Sequence, residues 1–180
     1  MIIMEFKKYN HLEEEKKISD FWIKKGCFKP KKGKIKKTFS IVIPPPNVTG
    51  RLHMGHALNN SLQDVLVRYN RMRGLETLWQ PGTDHAGIAT QAVVEKKLQK
   101  KGIEKNVLRR EKFIKEVWKW KKESGEIILD QLKKLGCSCD WSRSRFTMDN
   151  DLSKAVIKVF VSLYKNRLIY KDKKLVNWDT

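Results

Sequence analysis

His53, Gly55 and His56 stand as a His-x-Gly-His cluster in a 180-residue chain, and the chemistry such a cluster suits is phosphate handling. Two histidines three apart at the start of a helix lie near one face. A helix N-terminus offers free N–H groups and a partial positive charge. Imidazole donors beside it can hydrogen-bond phosphate oxygens and the extra charge that develops in a phosphoryl-group transition state. Gly55, having no side chain, lets a flat base or ribose approach the backbone. The same pair could instead only cap the helix; the lead-in favours chemistry. An apolar run, a rigid proline loop (Pro44-Pro45-Pro46) and a turn (Asn47-Val48-Thr49-Gly50) precede it in close order.

A second group suits a cationic part of a substrate. An ammonium needs a fixed carboxylate, and Asp84, in the Pro81-Gly82-Thr83-Asp84 turn, is placed to supply one. The plainer alternative is that Asp84 only caps the helix that follows. His85 could line the same pocket or be structural. Pro44 and Pro45 could form an apolar wall, because a rigid surface loses little entropy on packing. Asn47 could bind the substrate or hold the loop.

These groups need a scaffold that brings them to one edge. Phe39 to Ile43 is short, apolar and β-branched, and predicts a buried strand of the parallel kind. A helix follows from about His53 to Met72, with Met54, Leu58, Leu62, Val65, Leu66, Tyr69 and Met72 on one face. Gly74 stops it, and Leu75 to Trp79 predicts a second strand. Further helices are expected over 87–101, 109–135 and 149–166, the last with Val156, Val159, Phe160 and Leu163 inside. A closing strand is expected at Leu175 to Trp178. Ahead of all this, residues 11–25 predict a helix with Leu12, Ile18, Phe21 and Trp22 as its buried stripe, followed by a basic connector from Lys29 to Lys37. Strands alternating with helices imply an α/β fold with a parallel sheet, whose ligands sit beyond the carboxyl ends of the strands. The expected organisation is an N-terminal helix and connector over 1–37 and a Rossmann-like region over 38–180.

Net charge is +19, from 39 Lys and Arg against 20 Asp and Glu. That surplus points to a polyanionic partner, nucleic acid first; a general lysine bias would also produce it, since the lysines are spread along the chain. Cys27, Cys137 and Cys139 are too few and too oddly spaced for a disulfide framework or a zinc site, and no metal ligand set is expected. No apolar run reaches the ~20 residues of a membrane span. A cytoplasmic protein without membrane contact is the expectation.

Pro44 to His56 resembles the first signature of class I aminoacyl-tRNA synthetases. The proline lead-in and Gly82-Thr83-Asp84-His85-Ala86-Gly87 are similar to the valyl-tRNA synthetase family within that class. So are Ile88-Ala89-Thr90-Gln91, Arg110-Glu111-Lys112-Phe113, Trp141-Ser142-Arg143, Phe146-Thr147-Met148-Asp149 and Leu175-Val176-Asn177-Trp178. The likeness covers the chain from about Phe21 onward. It implies the first half of a Rossmann-like catalytic domain that activates valine with ATP, as its Mg2+ complex, and passes the aminoacyl group to tRNA(Val). It implies that His53, Gly55, His56 and Thr49 bind ATP, that the two histidines stabilise its phosphates, and that Pro44, Pro45, Asn47 and Asp84 bind the amino acid. It also implies a full-length protein that is monomeric.

The family's second signature, Lys-Met-Ser-Lys-Ser, is absent from these 180 residues, as are its editing and anticodon-binding regions. The expectation is a truncated chain that does not aminoacylate alone. Valine-dependent ATP–pyrophosphate exchange by the purified chain would overturn that expectation.

Overall fold

The computed structural model describes residues 8–31 and 37–177. They form two compact units, one up to Phe146 and one from Thr147.

The first unit is built on a βαβ element. Strand β1 (Thr38–Val42) and strand β2 (Glu76–Gln80) run parallel, with Thr38 opposite Glu76 and Val42 opposite Gln80. Helix α2 (Met54–Met72) makes the crossover. The expected buried strand is not buried: β1 alternates between exposed and half-buried positions, and Val42 is 72% exposed. Among the described residues β1 is paired only along its β2 edge. The residue that enters the core is Ile43, just past the strand, whose N–H donates to the Gln80 carbonyl at 2.9 Å.

Helix α2 carries a second correction. Its apolar stripe, Met54 to Met72, is exposed at every position named above. The opposite face packs: Asn60 and Val67 are buried, and Asp64, Arg68 and Arg71 are half-buried beside them. Positions 60, 64, 67, 68 and 71 recur at three- and four-residue steps, which puts them on one side of a helix. Hydrogen bonds hold that side. Asp64 accepts from the Ser138 N–H at 2.9 Å and hydroxyl at 2.6 Å, and from Arg68 Nε at 2.6 Å. Arg71 donates to the Ser138 Oγ at 2.6 Å and carbonyl at 2.7 Å.

Helix α1 (His11–Lys25) likewise buries none of its residues. Leu12, Ile18 and Phe21 are exposed, and Trp22 is half-buried. Its contact is a cation–π one: the Arg68 guanidinium lies 5.3 Å from the Trp22 ring. The helix ends at Gly26, whose φ of +65° suits a residue without Cβ.

The core gathers Ile43, Val48, Val67, Trp79, Ile128, Leu132 and Phe146 with Cys137 and Cys139. Trp79 is fully buried and its indole N–H is satisfied by Gln63 Oε1 at 3.0 Å. Ile128 and Leu132 come from helix α4 (Arg110–Lys134). A smaller cluster joins Val94 and Leu98 of helix α3 (Gly87–Gln99) to Phe113 of α4. Strands β3 (Gly82–Thr83) and β4 (Arg145–Phe146) add a short parallel pair. A Cβ on Gly82 would meet the Arg145 carbonyl oxygen at 2.9 Å. Backbone cannot yield as a flexible side chain does, so Gly82→Ala is expected to lower stability by roughly 1–3 kcal/mol, measured by urea unfolding.

Burial pushes the Cys137 thiol up to about 12 and raises Cys139 as well, while Cys27 is exposed. Thiolate is the reactive form. In the native chain a thiol reagent at pH 8 is therefore expected to label Cys27 quickly and the other two only on unfolding, which mass spectrometry of the modified peptides checks.

In the second unit, helix α5 spans Asn150–Lys165. Val156, Val159 and Phe160, expected inside, are exposed, and Leu163 is half-buried. Residues 175–177 form no strand, and Trp178 lies outside the described residues. No helix among the described residues is long and apolar enough to cross a membrane.

Candidate active site

The loop leaving β1 is laced to the chain leaving β2. Asp84 N–H donates to the Pro46 carbonyl at 2.8 Å, and Val48 N–H donates to the Asp84 carbonyl at 3.0 Å. This parallel bridge between Asn47 and Asp84 continues the sheet direction past the strand ends. Proline fits here because it has no N–H to leave unsatisfied. Pro46 and Val48 turn inward and are buried, while Pro44, Pro45 and Asn47 face out.

The loop delivers His53 as the N-cap of α2. His53 Nδ1 accepts from the Gly55 N–H at 3.1 Å, and His56 Nδ1 accepts from the His53 N–H at 3.3 Å. The rings meet edge to face with centroids 4.1 Å apart. Two orphan donors of the helix start are satisfied reciprocally, as in a capping box. Capping and chemistry are therefore compatible. With Nδ1 of each ring accepting, a neutral ring carries its proton on Nε2 and keeps that N–H as a donor. Burial first, and the neighbouring His53 second, hold the His56 imidazole below the ordinary value of 6.5. Gly55 has a local reason to lack a side chain: a Cβ there would lie 2.9 Å from Cε1 of His53.

Pro44, Pro45, Asn47, Thr49, His53, Gly55 and His56 line one cleft of about 530 Å³. Of the residues singled out by sequence, the structure brings these seven together. Asp84 is not in that lining; it is joined to it through the bridge to Asn47. Its Oδ1 accepts from the Ala86 N–H at 3.2 Å and lies 3.2 Å from His85 Nδ1. The carboxylate thus shapes the turn into α3, where Ala86 sits at φ +50°, and it stays about one-third exposed.

Sequence reasoning missed Arg51, Asn59 and Asn60 in the cleft lining. Asn59 and Asn60 lie one turn beyond His56, so helical spacing could have found them. It also missed two residues of α4 that reach the loop, Trp120 and Gln131; no local signal points to either.

The family model for tRNA synthetases class I (I, L, M and V) matches residues 17–180. The chain belongs to that family. It is 71% identical over 173 residues to a valine–tRNA ligase of Pelagibacter ubique, matching 96% of this chain and 20% of that protein. A valine–tRNA ligase of Mesorhizobium japonicum is 61% identical over 175 residues, again 96% of this chain and 19% of the relative. The chain therefore spans about a fifth of the length of these relatives. Among solved structures, the LeuRS of Agrobacterium radiobacter K84 agnB2, in a ternary complex with tRNA and LeuAMS, superposes with a TM-score of 0.73 at 24% identity. That match covers 92% of this chain and 19% of the LeuRS chain, and it carries the class I synthetase fold.

Proposed function

We propose that the cleft is part of an adenylation site and that the protein to which this segment belongs is a valine–tRNA ligase. Valine's carboxylate attacks the α-phosphate of ATP, pyrophosphate leaves, and the valyl group passes to tRNA(Val). No side chain acts as a nucleophile, so positioning and electrostatics supply the rate. The observation that carries this reading is the reciprocal capping of His53 and His56, which leaves an Nε2–H donor on two side chains lining one cleft. Those donors and the α2 N-terminus meet the ATP phosphates, with Thr49 beside them. Pro44 and Pro45 form the wall for the branched side chain, Asn47 orients the substrate, and Asp84 pairs with the ammonium. Magnesium arrives on the nucleotide. The identity with valine–tRNA ligases supports valine over leucine and a cytoplasmic protein, and the +19 charge supports a tRNA partner.

Calorimetry of this chain with a non-hydrolysable valyl-adenylate analogue tests the reading. Saturable binding is expected, weakened roughly 10- to 100-fold by Asp84→Ala, the range for one hydrogen bond to a charged group. No heat at saturating analogue, with tRNA still bound, would replace the adenylation site by a tRNA-binding module.

A further inference from the structure

The phosphate-handling loop is held from a helix more than sixty residues away. Trp120 Nε1–H donates to the Val48 carbonyl at 2.7 Å. The Leu52 N–H donates to Gln131 Oε1 at 3.0 Å. The sheet-like lacing ends at Val48 and α2 begins at Met54, so these two bonds bracket the stretch between. Leu52 immediately precedes the N-cap His53, which makes its amide the last backbone group before the imidazole pair.

Trp120 and Gln131 are eleven residues apart on α4. That is three helical turns, which returns them to one face about 16 Å apart. Both are fixed by what flanks them. Trp120 packs on the Val94, Leu98 and Phe113 cluster, and the Lys97 ammonium lies 4.9 Å from its ring centre. Gln131 sits beside Leu132 and one turn from Ile128, both fully buried in the main core. A loop residue pinned to a core-anchored helix moves only if the helix moves.

We infer that Trp120 and Gln131 are positioning residues, which set where the His53 and His56 imidazoles sit by holding the two ends of the loop that leads to them. This inference deepens the adenylation reading and rests on it for the function the positioning serves. It does not require either side chain to touch substrate.

Three variants of the full 180-residue chain test it: Gln131→Leu, which keeps the size and loses the acceptor, Gln131→Glu, which keeps an acceptor, and Trp120→Phe, which keeps a ring and loses the N–H. Amide exchange at Leu52 and the NMR titration of the two imidazoles report on position without any ligand. Affinity for the valyl-adenylate analogue reports on its consequence. For Gln131→Leu the expected result is roughly tenfold faster exchange at Leu52 and roughly tenfold weaker analogue binding, the scale of one neutral hydrogen bond. The His56 titration shifts with them, and Gln131→Glu restores all three. Trp120→Phe shifts the same titration, and it decides the matter if Gln131→Leu fails to fold. An unchanged His56 titration in both variants overturns the inference. If the unmodified chain binds no analogue, the adenylation reading fails by itself and the NMR readouts still judge the positioning.

Discussion

Asp64→Ala is expected to lower the unfolding free energy by about 2–4 kcal/mol, less than the ~3–5 kcal/mol of a fully buried pair because Arg68 is 39% exposed. The carboxylate side chain is 17% exposed and serves three donors at once. Without it the fully buried Ser138 N–H and hydroxyl lose their acceptor. An orphaned buried donor alone costs about 1–3 kcal/mol. Arg68 and Arg71 then face each other with less compensation: burial already pulls the Arg71 guanidinium below its ordinary value, and Asp64 is the first group that pulls it back. Asp64→Asn keeps an acceptor for Ser138 and removes the charge, so it should fall between wild type and alanine. Urea unfolding of the three proteins checks this order. An alanine variant within about 1 kcal/mol of wild type would mean that water replaces the carboxylate and that the network holds α2 only weakly.

The same network explains what the sequence could and could not disclose. The limits of α2 were legible to within a residue, because a His-Gly-His start and a glycine stop are local signals. Its burial was not. A stripe of Met, Leu, Val and Tyr on a 3.6-residue period ordinarily faces the core, yet here the packed side carries Asn60, Asp64, Arg68 and Arg71. Asp64, Arg68 and Arg71 reach partners 67 to 74 residues away at Gly136 and Ser138, and no periodicity in a helix names a partner at that distance. The same account serves β1, whose composition reads as buried although the described residues cover it on one edge only. The cleft was legible through seven residues because they fall in one 13-residue stretch that also carries the family resemblance. Asp84 came from a second local turn, and the ladder that joins it to Asn47 is what a parallel strand pair imposes beyond its ends. Trp120 and Gln131 were invisible for the opposite reason: tryptophan and glutamine in a long helix have many ordinary uses, and only the folded chain shows which backbone groups they meet.

The histidine pair is expected to have a functional effect as large as that of Asp84, and it carries a pH dependence with a definite sign. His53→Ala or His56→Ala should weaken binding of the adenylate analogue by about 10- to 100-fold each, since a hydrogen bond to a charged group contributes about 1.5–3 kcal/mol. The double variant should lose less than the sum, because each ring orients the other through the cap and such coupled sites are not additive. Protonation acts on the same bonds. A His56 ring that gains a proton on Nδ1 can no longer accept from the His53 N–H. Its folded value is depressed below 6.5, so the unfolded chain binds the proton more readily than the folded one. The stability linked to this difference is therefore fully present above the ordinary imidazole value. It is lost as pH falls through the lower folded value. Ligand binding pulls the other way: an anionic phosphate favours the protonated ring, so the bound state should titrate at higher pH than the free chain. Imidazole NMR titrations with and without analogue measure both shifts. If His56 serves only the cap, its value stays depressed in the free chain and does not move up on binding; upward movement of His56 on binding ties the capped ring to the ligand's phosphate.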